Sequence, residues 1–329
     1  MLSRTADHLF WMARYMERAE NTARMLDVNY QMSLLPQSAD EAEQGWRSLL
    51  GISELTGSFS EHYPKVDARN VMDFMVRDAA NPSSIVACVR AARENARAVR
   101  GALTTEVWET QNQTWLEFNR LLASGNFQRD PSTLFEWVKF RSHLSRGVTV
   151  GTMLQDEALH FLRIGTFLER ADNTARLLDV KFQSLIGDYF GAATGNVQSQ
   201  VQQAHEAQEV DFYHWSAVLR SVSGFEVYRK VYRNVIRPDR VAELLILRPD
   251  MPRSLAACMN GVVVNLDQVA NAQSGETLRR AGRLRSDLQY GRIDEILATG
   301  LHAYLTQFLD RVGDLGVGIS RDFLVPMAA

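Results

Sequence analysis

Apolar and polar positions recur with a helical period over most of the chain. Residues 3–33 show it most clearly. At about 100° per residue, Met12, Met16, Ala19, Ala23 and Leu26 share one side, flanked by Leu9 and Tyr15. Glu17, Glu20, Asn21 and Arg24 gather on the opposite side. The pattern predicts one amphipathic helix with a strongly polar face. Ser3 stands where a helix cap is needed, and Pro36 follows the end. Residues 41–55 repeat the period through Trp46, Leu49, Leu50 and Ile52. Residues 57–64 read as a loop, and 71–76 as a short buried helix, with a strand as the alternative. Asn81-Pro82 and Asp130-Pro131 each read as a cap followed by a first-turn proline. The first opens a helix to about Arg100, and the second a helix through Trp137 and Phe140. Between them, Thr104 or Thr105 caps a helix holding Trp108 and Trp115, and residues 125–129 break the pattern. Gly147 and Gly151 mark a junction, and residues 313–318 carry too many glycines to remain helical. No alternating-period strand or hairpin signal stands out, so the expected fold class is all-α.

The stretch from His8 to Val28 returns 152 positions later, from His160 to Val180. The shared core is E-R-A-E/D-N-T-A-R-M/L-L-D-V. Residues 71–88 match 241–258 at an offset of 170 through Val, Pro, Ser, Ala and Cys, and Trp46 and Trp215 fall near the same alignment. The chain therefore reads as an internal duplication: a first helical repeat at 1–150 and a second at 151–329. Two repeats sharing one core suggest a pseudo-twofold helical bundle. The change in offset leaves about 18 extra residues in the second repeat. The Gly- and Gln-rich run 187–204 accounts for them as an inserted surface loop.

Glu17, Asn21 and Arg24 stand at i, i+4 and i+7, so they can meet along one helix face. Glu169, Asn173 and Arg176 do the same, and Glu20 and Asp172 complete the two sets. Three readings are open. The face is solvated, with ion pairs worth ~0.2–0.5 kcal/mol each. Alternatively, carboxylates of one copy bridge arginines of the other in a buried network, which must be fully paired because an orphaned buried charge costs several kcal/mol. The third is a ligand or catalytic site at the seam, since Asn and Arg bind carboxylates and phosphates well.

Other residues carry weaker signals. His8 and His160 lie on the apolar side and read as core histidines with one hydrogen bond. Glu157 and His160 form one Glu-x-x-His, but the matching Thr5-Ala6-Asp7-His8 lacks the glutamate. The paired motif of a di-iron bundle is incomplete, and no metal or cofactor is expected. Cys88 and Cys258 occupy matching positions and read as small buried hydrophobes. Arg279, Arg280, Arg283 and Arg285 form a basic helix face, either solvated or a docking patch for an acidic partner.

Composition narrows the class. With 329 residues, 46% hydrophobic and 23% charged, the chain can build a large core. A net charge of −3 argues against a dedicated binder of nucleic acid or anionic membrane. That holds despite the mixed aromatics and cations of Tyr228 to Arg233. Two cysteines exclude a disulfide framework and fit a reducing compartment. No signal-like segment or run of ~18 apolar residues is present, so a cytoplasmic protein is expected. Phosphate-binding loops, dinucleotide fingerprints, paired Cys-x-x-Cys and Gly-x-Ser-x-Gly are all missing from the sequence.

The run Arg14-Tyr15-Met16-Glu17-Arg18-Ala19-Glu20-Asn21 resembles the bacterial alpha-E domain family. The similarity covers nearly the whole length, through 92–97, 162–179, 225–232 and Pro252-Arg253-Ser254. The resemblance implies an all-α protein with no established activity, encoded beside circularly permuted ATP-grasp ligase-like proteins and transglutaminase-like peptidases. It implies a role in peptide synthesis or modification. One form of that role is a non-catalytic scaffold partnering the ligase-like protein and the peptidase. The other is an enzyme, a transferase or amide-forming catalyst, with Glu17/Arg24 and Glu169/Arg176 lining its site. An enzyme predicts a deep polar pocket at the seam with a perturbed carboxylate. A scaffold predicts that these groups pair with one another and that an apolar patch is exposed.

Overall fold

The computed structural model describes residues 1–191 and 212–324. Among these residues every regular element is helical and no strand occurs. In chain order the α-helices are α1 (Ser3–Ser33), α2 (Ala39–Ile52), α3 (Thr56–His62), α4 (Ala68–Val76), α5 (Ile85–Ala98), α6 (Thr105–Ala123), α7 (Pro131–Thr152) and α8 (Glu157–Gly191). There follow α9 (212–221), α10 (Phe225–Tyr232), α11 (Pro238–Ile246), α12 (Leu255–Gln268), α13 (Gly275–Tyr290), α14 (Ile293–Thr299) and α15 (Leu301–Phe323). None of the described helices is long and apolar enough to cross a membrane.

α1 lies at the centre. Its surface is buried all round from Ala19 to Leu26, charged residues included. It packs against α5, α7 and α8, and α8 packs in turn against α12 and α15. The polar stripe of α1 therefore faces other helices, and the solvated-face reading does not hold for it. His8 and His160 behave as expected. Each is half-buried, and each Nδ1 meets an asparagine Oδ1: Asn95 at 2.7 Å and Asn265 at 2.8 Å.

Several helix starts follow local chemistry. Ser38 and Glu41 form a reciprocal capping box at α2. Thr104 caps α6, and Asp130 with Pro131 opens α7. Elsewhere the expectation needs correction. Ser3 lies inside α1, where the Leu2 carbonyl accepts from the Thr5 and Ala6 N–H groups and no side chain caps the helix. α5 begins at Ile85 with Ser84 as its cap, not at Pro82. Asn81 instead closes the preceding turn, donating to the Phe74 carbonyl at 3.1 Å and accepting from the Ser83 N–H at 2.9 Å. Ser254 caps α12 in the same way, which leaves Pro252 and Arg253 in the turn before it. Most of 57–64 is helical as α3, drawn inward by Phe59, which stacks on Tyr63 and meets Phe74 edge-on.

Glycines misled the pattern twice. Gly147 and Gly151 lie inside α7, and the chain turns only after Thr152. Residues 313–318 are helical within α15. There the helix runs so close to α13 that a Cβ at Gly318 would stand 2.6 Å from Thr277 Oγ1. Close packing outweighs the helix penalty of about 1 kcal/mol per glycine. Of the expected loop at 187–204, the first positions continue α8 to Gly191, and 192–204 lies outside the described residues.

The crossing of α1 and α8 depends on small residues. A Cβ at Gly165 would strike the Phe10 carbonyl oxygen and lie 3.4 Å from Ala13 Cβ. A backbone carbonyl cannot rotate aside, so Gly165→Ala must push the helices apart. Urea unfolding is expected to show a net loss of about 1–3 kcal/mol, despite the better helix propensity of alanine.

Candidate functional site

Glu17-Arg18 on α1 and Glu169-Arg170 on α8 are the only Glu-Arg dipeptides in the sequence. Where two such helices pack together, each glutamate can face the neighbour while the adjacent arginine reaches round to the neighbour's glutamate. Arg170 grips Glu17 through Nε at 2.8 Å and Nη2 at 2.9 Å. Arg18 grips Glu169 through Nε at 2.5 Å and Nη2 at 3.1 Å. These two-pronged forks are the strong form of carboxylate recognition. Arg14 Nε adds a further bond to Glu169 at 2.7 Å.

Glu17 belongs to a larger buried group. Arg253, from the turn before α12, donates to Glu17 at 2.9 Å, to Asn21 Oδ1 at 2.8 Å and to Glu20 at 2.5 Å. Arg146 on α7 donates to Glu17 at 3.0 Å and Glu20 at 2.5 Å. Arg24 holds Glu20 one helical turn away, at 2.8 and 2.9 Å, and Ser142 Oγ donates to Glu20 at 2.7 Å. His143 sits between Arg24 and Arg146, and burial pushes its pKa down. Asn21 Nδ2 is buried without a partner among the described residues, as is Asn173 Nδ2.

Burial alone would raise the pKa of these carboxylates. The guanidiniums around them prevail. Arg170 and Arg253 hold Glu17 below the usual carboxylate range, and Arg253 and Arg146 hold Glu20 well below it. Arg14 and Arg18 bring Glu169 down to about 2. All three are fixed as anions. Cys88 and Cys258 move the other way, each pushed up to about 12 by burial. They are inert thiols that pack as hydrophobes.

The expected site residues divide. Glu17, Glu20, Asn21 and Arg24 do come together. Glu169 joins Arg14 and Arg18, not Arg24. Asp172 and Arg176 pair with each other near the surface, where Arg176 also reaches Glu54. Arg14, Arg18, Arg146, Arg170 and Arg253 went unrecognised in the sequence as partners. One signal was available for Arg253: it stands where the matching block has Ser83. In the basic patch on α13, Arg279 and Arg280 are exposed and both bind Glu276. Arg283 is exposed, and Arg285 is half-buried with its Nε lacking a partner. No cluster of metal-ligating side chains occurs among the described residues.

A cavity of about 330 Å³ opens between α1, α6, α7 and α8 beside this network. Arg146, Arg170 and Glu17 reach its wall, and Met12, Met16, Leu162 and Phe167 make much of the remainder apolar.

Residues 1–324 match a family described as a predicted alpha-helical domain with a conserved ER motif. The chain belongs to the alpha-E family. Here the two Glu-Arg pairs of an alpha-E protein act as a reciprocal clasp. Uncharacterised proteins of Mycobacterium bovis and Mycobacterium tuberculosis are 25% identical to this alpha-E chain over 93% of its length. That match covers 35% of each, so the chain spans about a third of the length of these curated relatives. No solved structure matches.

Two outcomes follow for the clasp. Glu169→Ala strands Arg14 and Arg18 without their anion, and thermal melting should show a loss of about 3 kcal/mol. The pH dependence has a definite sign. A carboxylate whose folded pKa is depressed stabilises the fold above its unfolded value and loses that contribution as pH falls through the folded one. For Glu169 the window runs from 4.5 down to about 2. Urea midpoints should fall across it, and Glu169→Gln should flatten that part of the profile.

Proposed function

We propose that the chain is a non-catalytic helical scaffold made of two pseudo-twofold-related repeats, 1–150 and 151–329. In this reading it is an accessory partner of an ATP-grasp ligase-like protein, acting with a transglutaminase-like peptidase in peptide synthesis or modification. The observation that carries the scaffold reading is the saturation of the motif carboxylates. Glu17, Glu20 and Glu169 each hold two or more guanidiniums. Their lowered pKa values leave no proton to donate near neutral pH. General acid–base work needs a group that titrates near the working pH, so the enzyme reading draws less support.

The duplication is supported by the like roles of like residues. Glu17 and Glu169, Arg18 and Arg170, and His8 and His160 make corresponding bonds. A partner role is supported by the mycobacterial relatives, in which the matching region is one part of a longer polypeptide. α7 and the turn after it also expose Phe140, Val150 and Leu154, apolar side chains suited to contact with another protein.

Co-purification with an ATP-grasp ligase-like protein from the same organism, followed by an ATP-turnover assay, tests this. A stable complex and a several-fold change in turnover are expected, with no turnover by this chain alone. Arg279→Glu with Arg283→Glu should weaken the complex if the α13 face docks the partner. Peptide chemistry by this chain alone, lost in Glu17→Gln without loss of melting temperature, would overturn the scaffold reading.

A further inference from the structure

The cavity between α1, α6, α7 and α8 carries more positive charge than its own acids balance. Arg146, Arg163 and Arg170 line it with one acid, Glu17. Behind the wall the surplus continues. Four guanidiniums (Arg24, Arg146, Arg170 and Arg253) bond to only two carboxylates, Glu17 and Glu20. Arg163 is half-buried and has no ion-pair partner among the described residues. Arg146 commits Nη1 to Glu17, Glu20 and Ser142 and Nη2 to His143. Its side chain stays 30% exposed, and its Nε makes no hydrogen bond among the described residues. A partly enclosed space with surplus charge of one sign concentrates counter-charge. Arginine forks suit carboxylates and phosphates in particular.

The remaining wall is of another kind. Met12, Met16, Leu159, Leu162 and Phe167 offer an apolar surface. The volume of about 330 Å³ falls at the small end of ligand pockets, which run from about 300 to 1,000 Å³. Charge and hydrocarbon lining one small cavity define the occupant. We propose that this cavity binds a small amphiphilic anion, an apolar body ending in a carboxylate or phosphate. Arg146 and Arg163 draw the headgroup, and the body lies against the methionine and leucine wall. The site stands independently of the scaffold reading, because nothing in it requires a partner protein.

Isothermal titration of the full chain with octanoate, octyl phosphate and neutral octanamide tests the proposal. At least one anion should bind saturably at one site per chain, and the tighter of the two identifies the headgroup. Octanamide should bind at least tenfold more weakly, and added salt should weaken the anion. Arg163→Glu reverses a charge on the wall and should weaken binding at least tenfold. Val150→Asp is a second variant on the lining, at a position 59% exposed, where folding is not at stake. It should act in the same direction, and it alone carries the comparison if Arg163→Glu melts early. Absence of saturable anion binding overturns the proposal. So does equal binding of octanamide, or anion binding that a folded variant leaves unchanged.

Discussion

The exchange of arginines between Glu17 and Glu169 constrains everything around it. Each carboxylate is nearly inaccessible to water, so each must find its counter-charges inside the protein. The two-pronged forks that grip them come from the opposite helix, Arg170 for Glu17 and Arg18 for Glu169, so neither α1 nor α8 can slide or rotate alone. A buried ion network of this kind contributes little net stability, because desolvation offsets attraction. Its effect is on register. One placement of α1 against α8 satisfies every acid, and neighbouring placements strand charges at several kcal/mol each. The small residues at the crossing, Ala13 and Gly165, allow the close approach that this geometry needs.

A motif that looks catalytic on paper is thereby turned into a fastener. The two Glu-Arg pairs are consumed by each other, and Glu20 is taken up by Arg24, Arg146 and Arg253. What remains available for chemistry lies at the edge of the network. There the arginines outnumber the acids, and an apolar cavity opens beside them. Recognition of a ligand requires only that surplus charge. Proton transfer would require a carboxylate free to titrate.

Much of the fold was legible in the residues. The 3.6-residue period located α1, α2 and α4, and polar caps located the starts of α6 and α7. Two of the failures share one cause. At α3 and at residues 313–318, local propensity points to irregular backbone. Burial of Phe59 and the close contact of Gly318 with Thr277 decide otherwise, and neither contact is local. The site divides the same way. That Glu17, Glu20, Asn21 and Arg24 gather was readable from spacing. Which arginines hold Glu17 was not. Helical spacing suggested Arg24, whereas Arg146 and Arg170 stand 129 and 153 positions away.

Arg253 reaches further still. It contacts Glu17 across 236 positions, closing a loop of most of the chain. Closing a loop of that length costs chain entropy that the contact must repay. Arg253 thus serves as a latch that ties the turn before α12 back to α1, near the other end of the sequence.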